Sequence, residues 1–166
     1  MSDTRKTSVP GLETLPEPGF DFLFGLSLEV GSPTFLGRTP AGERRVIGVE
    51  GGTLSGPHLE GRVLPGGSDW IVVREDGVLI QDVRIALQTQ DDHTLLMSYR
   101  GMRHGPGDTL QRLDRGEYVD PSEYYFRTIP IFEAPEGKYD WLNKLMAFAV
   151  GRREPGGVTY AAYALS

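Results

Sequence analysis

In the segment PGGSDW an aspartate, Asp69, stands directly before a tryptophan, Trp70, at the start of an apolar run. A carboxylate beside an indole at a strand start suits a general base at the rim of an apolar pocket. The structural alternative has Asp69 capping the Pro65-Gly66-Gly67 turn while Trp70 fills the core. A second set lies in YYFRTIPIFE. Strand alternation there puts Tyr125, Arg127, Ile129, Ile131 and Glu133 on one face, and Phe126, Thr128, Pro130 and Phe132 on the other. If the first face lines an interior, Arg127 and Glu133 are opposite charges too far apart along the strand to pair directly. Another strand or a ligand would then bridge them; otherwise they form separate structural ion pairs.

Other chemistries lack their residues. The chain has no cysteine, which removes thiol catalysis, disulfides and cysteine-ligated zinc. Its glycine-rich stretch EGGTLSGPHLEGRVLPGGSDW contains neither Gly-Lys-Ser/Thr nor Gly-x-Gly-x-x-Gly, so a phosphate-cradling loop does not fit. Glycines spread through alternating segments fit bulges and barrel corners instead. No Gly-x-Ser-x-Gly elbow is present. His58, His93 and His104 are widely separated, so no metal site is expected. A net charge of -6 without a basic block excludes a nucleic-acid partner. With no apolar run near the ~18 residues of a spanning helix and no signal-like start, the chain reads as a soluble cytoplasmic protein without a membrane partner.

These side chains need a scaffold, and 166 residues suffice for one domain with its own core. Residues 1–19 are polar and proline-broken, as expected of a flexible arm, and the folded domain is assigned to 20–166. FDFLFGLSLEV carries the period of two of a strand, with Phe22, Phe24, Leu26, Leu28 and Val30 on one face. Further short β-like runs follow: RRVIGVE, HLEGRVL, DWIVVRE, GVLIQDVRIALQT, HTLLMSYRG, EYYFRTIPIFE, MAFAVGRR and VTYAAYAL. EDGV between two of them predicts a tight hairpin. The pattern implies an all-β sandwich or closed barrel. One short helix is expected at most, in PEGKYDWLNKLMAF, while residues 101–122 read as a long polar loop, a lid or an interface segment. Asp82, Arg84, Ala86 and Gln88 share a face expected to be solvated.

Taken in order, the segments Gly-Gly-Thr, Gly-Pro-x-Leu-x-Gly, Pro-Gly-Gly-x-Asp-Trp, Phe-Arg-Thr-x-Pro-x-Phe-Glu and Trp-Leu-Asn resemble the domain-of-unknown-function family 3237, small proteins of bacteria and fungi. The resemblance spans roughly Phe20 to Leu165. It implies a single antiparallel β-barrel, of about 8–10 strands on the strand count above, that associates as a homodimer; it implies much less about activity. On such a barrel the expected function is binding of a small, largely apolar or aromatic molecule, with proton-transfer catalysis of the isomerase, cyclase or lyase type and no cofactor. Asp69 or Glu133 would move the proton and Arg127 would stabilise the developing oxyanion, with Trp70, Tyr99, Tyr125 and Asn143 shaping the pocket. A carrier or sensor barrel without turnover, or a scaffold filled by its own side chains, is the alternative.

Overall fold

A computed structural model of the chain describes residues 8–166. The ten strands are β1 (Phe20–Val30), β2 (Thr34–Thr39), β3 (Gly42–Ser55), β4 (Glu60–Val63), β5 (Gly67–Val73), β6 (Leu79–Thr89), β7 (Thr94–His104), β8 (Tyr125–Glu133), β9 (Ala147–Glu154) and β10 (Gly157–Leu165). A single α-helix among the described residues, α1 (Gly107–Asp114), lies between β7 and β8. The sheet runs β1-β10-β9-β8-β7-β6 and then through β4 and β5 to β3, with every pairing antiparallel. Pairing of β1 with β3 closes it. Because β1 and β2 run in tandem along one side of β3, and β4 and β5 along the other, the result is a closed eight-stranded barrel with two extra strands. Closure removes the exposed sheet edges that would otherwise recruit other chains.

The period of two sets what faces inward. On β6, Leu79, Gln81, Val83, Ile85, Leu87 and Thr89 are all buried, and Asp82, Arg84, Ala86 and Gln88 form the outer face as expected. The β5–β6 hairpin turns at Asp76-Gly77, where Gly77 takes φ 82 and the Arg74 amide donates to the Val78 carbonyl. On β1 the alternation breaks at a bulge between Phe22 and Phe24. Leu23 and Phe24 are therefore both buried, and Phe22 faces out against Tyr163 rather than joining the core. Closure needs close backbone approach: Gly52 has φ 144, and a Cβ there would lie 2.0 Å from the Ser27 carbonyl oxygen of β1. The glycines of the 50–70 segment thus let strands pack closely, as their distribution suggests.

Three elements differ from the sequence reading. TFLGRT carries no strand signature, yet it pairs with β3 as β2. PEGKYDWLNKLMAF yields only a five-residue 3-10 helix over Asp140–Lys144, because the β10 ladder draws the chain into extended β9 from Ala147. The helix instead falls within the 101–122 segment, where Leu113 buries its apolar side and Gly116, at φ 75, ends it. Residues 1–7 of the expected N-terminal arm lie outside the described residues. Residues 8–18 are mostly exposed, and Gly19 pairs with Ser166 through two backbone hydrogen bonds. No helix of the described residues is long and apolar enough to cross a membrane.

Candidate functional site

The barrel interior divides into a filled end and a hollow end. Phe24, Leu26, Leu87, Leu95 and Phe132 pack one end with hydrocarbon. Toward the other, two inward rows alternate bulk with space. One row runs Gln81, Gly101, Thr128, Ala149 and Ala162 across β6 to β10, small at every position after the glutamine. The adjacent row carries Leu79, Arg103 and Phe126, then Gly151 and Tyr160. A Cβ at Gly151 would sit 2.7 Å from the Phe126 ring, so the glycine is what makes room for that ring.

At this end a hollow of about 490 Å³ opens, bordered from these rows by Leu79, Gln81, Arg103 and Phe126. Ile47, Ile71, Leu79, Phe126 and Val158 supply apolar wall, α1 contributes Leu113 and Asp114, and Gly31 and Pro33 from the β1–β2 connection border it together with Phe35 of β2. Into this space project Asp69, Gln81, Arg45, Arg103 and Arg153. Its volume is that of a small-molecule site, and its wall is unusually rich in charge for one. A second hollow of about 610 Å³ lies on the outside of β6, β7 and β8, bounded by exposed Arg84, Leu96, Ile131 and Glu133. Bulk water reaches those charges, which leaves them little leverage on chemistry.

Asp69 is the centre of the interior set. It is 8% exposed. Its Oδ2 accepts from Gln81 Nε2 at 2.9 Å, and its Oδ1 from the Asp82 amide at 3.3 Å. Burial pushes its carboxyl up to about 6, against the opposing effects of the Gln81 and Asp82 hydrogen bonds and the Arg45 charge. The network continues inward: Gln81 Nε2 also donates to the Tyr160 hydroxyl at 3.3 Å, and the Tyr99 hydroxyl donates to Tyr160 at 3.3 Å. Burial raises both tyrosines above the ordinary phenol range, so they remain neutral donors that fix Gln81 and, through it, Asp69.

The arginines differ in how their donors are used. Arg153 gives Nη1 to the Glu154 and Gly157 carbonyls, and its amide donates to the Tyr124 hydroxyl. Arg103 is 8% exposed and its nearest carboxylate is Asp114 Oδ1, 3.8 Å away. The Nε atoms of Arg45 and Arg103 are buried without a hydrogen-bond partner. Among the described residues no three His, Asp or Glu side chains converge as metal ligands.

Of the residues singled out in the sequence, the fold brings Asp69 and Tyr99 into the interior. Trp70 is 54% exposed on the outer face of β5, its Nε1 donating to Ser68 Oγ at 3.0 Å, so the reading in which it shapes the pocket or fills the core is corrected. On β8 it is Phe126, Thr128, Pro130 and Phe132 that point inward, which places Arg127 and Glu133 outside. Arg127 lies over the Tyr125 ring at 5.1 Å, and Tyr125 in turn stacks on His104, an exterior column remote from the cavity. Asn143 clamps the chain after β8: its Oδ1 accepts from the Ala134 amide and its Nδ2 donates to the Ala134 carbonyl. Gln81, Arg45, Arg103, Arg153 and Tyr160 were not singled out. A signal for two of them existed, since Gln81 and Arg103 are the polar members of otherwise apolar alternating sets on β6 and β7.

The family model described as "Protein of unknown function (DUF3237)" matches residues 18–165. The chain is 32% identical over 156 residues to a UPF0311 protein of Clostridium acetobutylicum, covering 93% of this chain and 99% of the relative. It is similar in structure to a β-barrel like protein from Acinetobacter baumannii, with TM-score 0.81 and 37% identity over 92% of this chain and 98% of the other. A structure described as an enzyme from Penicillium herquei superposes with TM-score 0.69 at 20% identity, covering 92% and 97%, a likeness of fold alone.

Proposed function

The chain belongs to the DUF3237 family, and from that premise we propose that it is a homodimeric enzyme in which Asp69 moves a proton on a small, largely apolar organic molecule held in the 490 Å³ cavity. The reaction class is isomerisation, cyclisation, or addition and elimination of water. One observation carries the reading: a carboxylate raised to about 6 by burial faces a hollow walled by hydrocarbon and arginines while its own orientation is fixed from behind by Gln81. A base whose pKa lies near the operating pH combines an available ionised form with a usable driving force.

The step needs no redox partner. Ionised Asp69 accepts a proton from a carbon beside a carbonyl, the C–H electron pair becomes the enolate π bond, and the carbonyl oxygen takes the charge. For isomerisation, the carbonyl re-forms as the conjugated enolate takes the proton back from Asp69 at a second carbon; for cyclisation, the enolate carbon bonds to a second carbonyl carbon of the same molecule, whose π pair moves to its oxygen, and that alkoxide takes the proton from Asp69. Gln81 and the two neutral tyrosines hold the carboxylate in register throughout. The distant fungal neighbour's description as an enzyme is compatible with this reading. A hollow of this size speaks against a barrel filled by its own side chains; a carrier with no turnover is the reading to be separated from catalysis.

Hydrogen–deuterium exchange separates them. In D2O, a panel of enolisable ketones and keto acids that includes phenylpyruvate is incubated with the protein and followed by proton NMR. The wild type is expected to accelerate exchange of at least one bound compound, with a rate that rises with pH through about 6 and then levels. Asp69→Asn is expected to lose roughly 10²–10⁴-fold, the usual size of general base catalysis. Binding without any exchange by the wild type would replace the enzyme by a carrier.

A further inference from the structure

The cavity's charge count does not balance within the protein. Arg45, Arg103 and Arg153 line it against the carboxylates Asp69 and Asp114. With all five ionised, one positive charge is left over. The imbalance is sharper in practice, because Asp114 is 63% exposed at the mouth and meets Arg103 only at 3.8 Å. Burying a guanidinium with an idle donor is costly unless something else takes the hydrogen bond. Arg153 has spent donors on two backbone carbonyls, whereas the Nε–H groups of Arg45 and Arg103 are buried and unspent.

We propose that the molecule bound in this cavity is a monocarboxylate with an apolar or aromatic body, its carboxylate taken by Arg103 together with Arg45. This rests on the reading of the cavity as the reaction site and adds the class of its substrate. A carboxylate matches both features: a single negative charge cancels the surplus, and its two oxygens can accept in parallel from the Nε and Nη edge of a guanidinium. Ile47, Ile71, Leu79, Leu113, Phe126 and Val158 face the remaining space. At about 490 Å³ the space is roughly three times the ~150 Å³ that holds one benzene, enough for a bicyclic body.

Calorimetric titration of the purified full chain at pH 7.5 with benzoate, 2-naphthoate, benzamide and benzylamine tests this. Both carboxylates are expected to bind, 2-naphthoate more tightly, with benzamide and benzylamine at least tenfold weaker. Arg103→Met is expected to lose tenfold or more in carboxylate affinity, and Arg45→Met to lose affinity too. Should Arg103→Met fail to fold, the Arg45→Met result and the backbone NMR shifts of the wild type on adding 2-naphthoate decide, with the largest shifts expected around Gln81, Arg103 and Val158. Asp69→Asn is expected to bind carboxylates at least as well as the wild type, since it removes a neighbouring negative charge. Carboxylates that fail to bind, equal binding of benzamide and benzoate, or unchanged affinity in both arginine variants would overturn the carboxylate assignment. Proton transfer by Asp69 would be untouched by any of these, because it is read separately from deuterium exchange.

Discussion

At Asp69 burial and ionisation oppose each other, and the fold bears the difference. The carboxyl rises from 3.8 in the unfolded chain to about 6 in the barrel. Between those values the native state binds more protons than the unfolded state, so stability falls as pH rises through this window and stays reduced above it. A shift of this size corresponds to about 3 kcal/mol. Asp69→Asn, which keeps an oxygen for Gln81 Nε2, is therefore expected to be more stable than the wild type at pH 8 by up to about 3 kcal/mol. The gain should vanish below pH 4, and urea midpoints at the two pH values measure it. The sequence made Asp69 visible because an acid opening an apolar run is conspicuous. It could not say which face of β8 looks inward: Ile129 and Ile131 are as apolar as Phe126 and Phe132, and both parities read as a core. Hence Arg127 and Glu133 were expected inside and stand outside. Gln81 was overlooked for a related reason, since a lone amide carries no obvious chemistry until the carboxylate it orients is seen.

Strands were legible where the chain alternates and ends in turn residues, as in LIQDVRIALQT with its Asp76-Gly77 hairpin. The helix was misplaced because local signals competed with distant ones. YDWLNKLMAF carries helical spacing, but Ala147 onward pairs with Ala164 and its neighbours, and that ladder outweighs the local preference. GDTLQRLD is too short and too polar to announce itself, and it holds because its own Leu113 packs into the core at the barrel mouth. The join between β1 and β3 makes a sharper claim. With φ 144 at Gly52 and the Ser27 carbonyl where a Cβ would go, any side chain must push the closing strands apart. Gly52→Ala is expected to destabilise the fold by about 2 kcal/mol or more, read from denaturant unfolding. Unchanged stability would mean that the barrel does not close through this contact.

As a whole the molecule keeps its polar interior to one end and an apolar strip on its outside. Leu96, Ile129 and Ile131 are exposed on adjacent strands β7 and β8, next to Arg100 and Glu133, so two copies related by a two-fold axis could bury the strip and pair the charges. This is the surface on which the proposed homodimer depends. Sedimentation at micromolar concentration is expected to show a dimer that Ile131→Glu dissociates, and a monomer at all concentrations would remove the dimer while leaving the cavity as described. Everything chemical depends on a carboxylate that burial raises to about 6 at the wall of the cavity. Carbon-13 NMR titration of the Asp69 side-chain carboxyl measures that state directly. A midpoint near pH 6 is the result predicted; a midpoint close to the 3.8 of an open aspartate would show that water reaches Asp69 freely, and would contradict the proposed base.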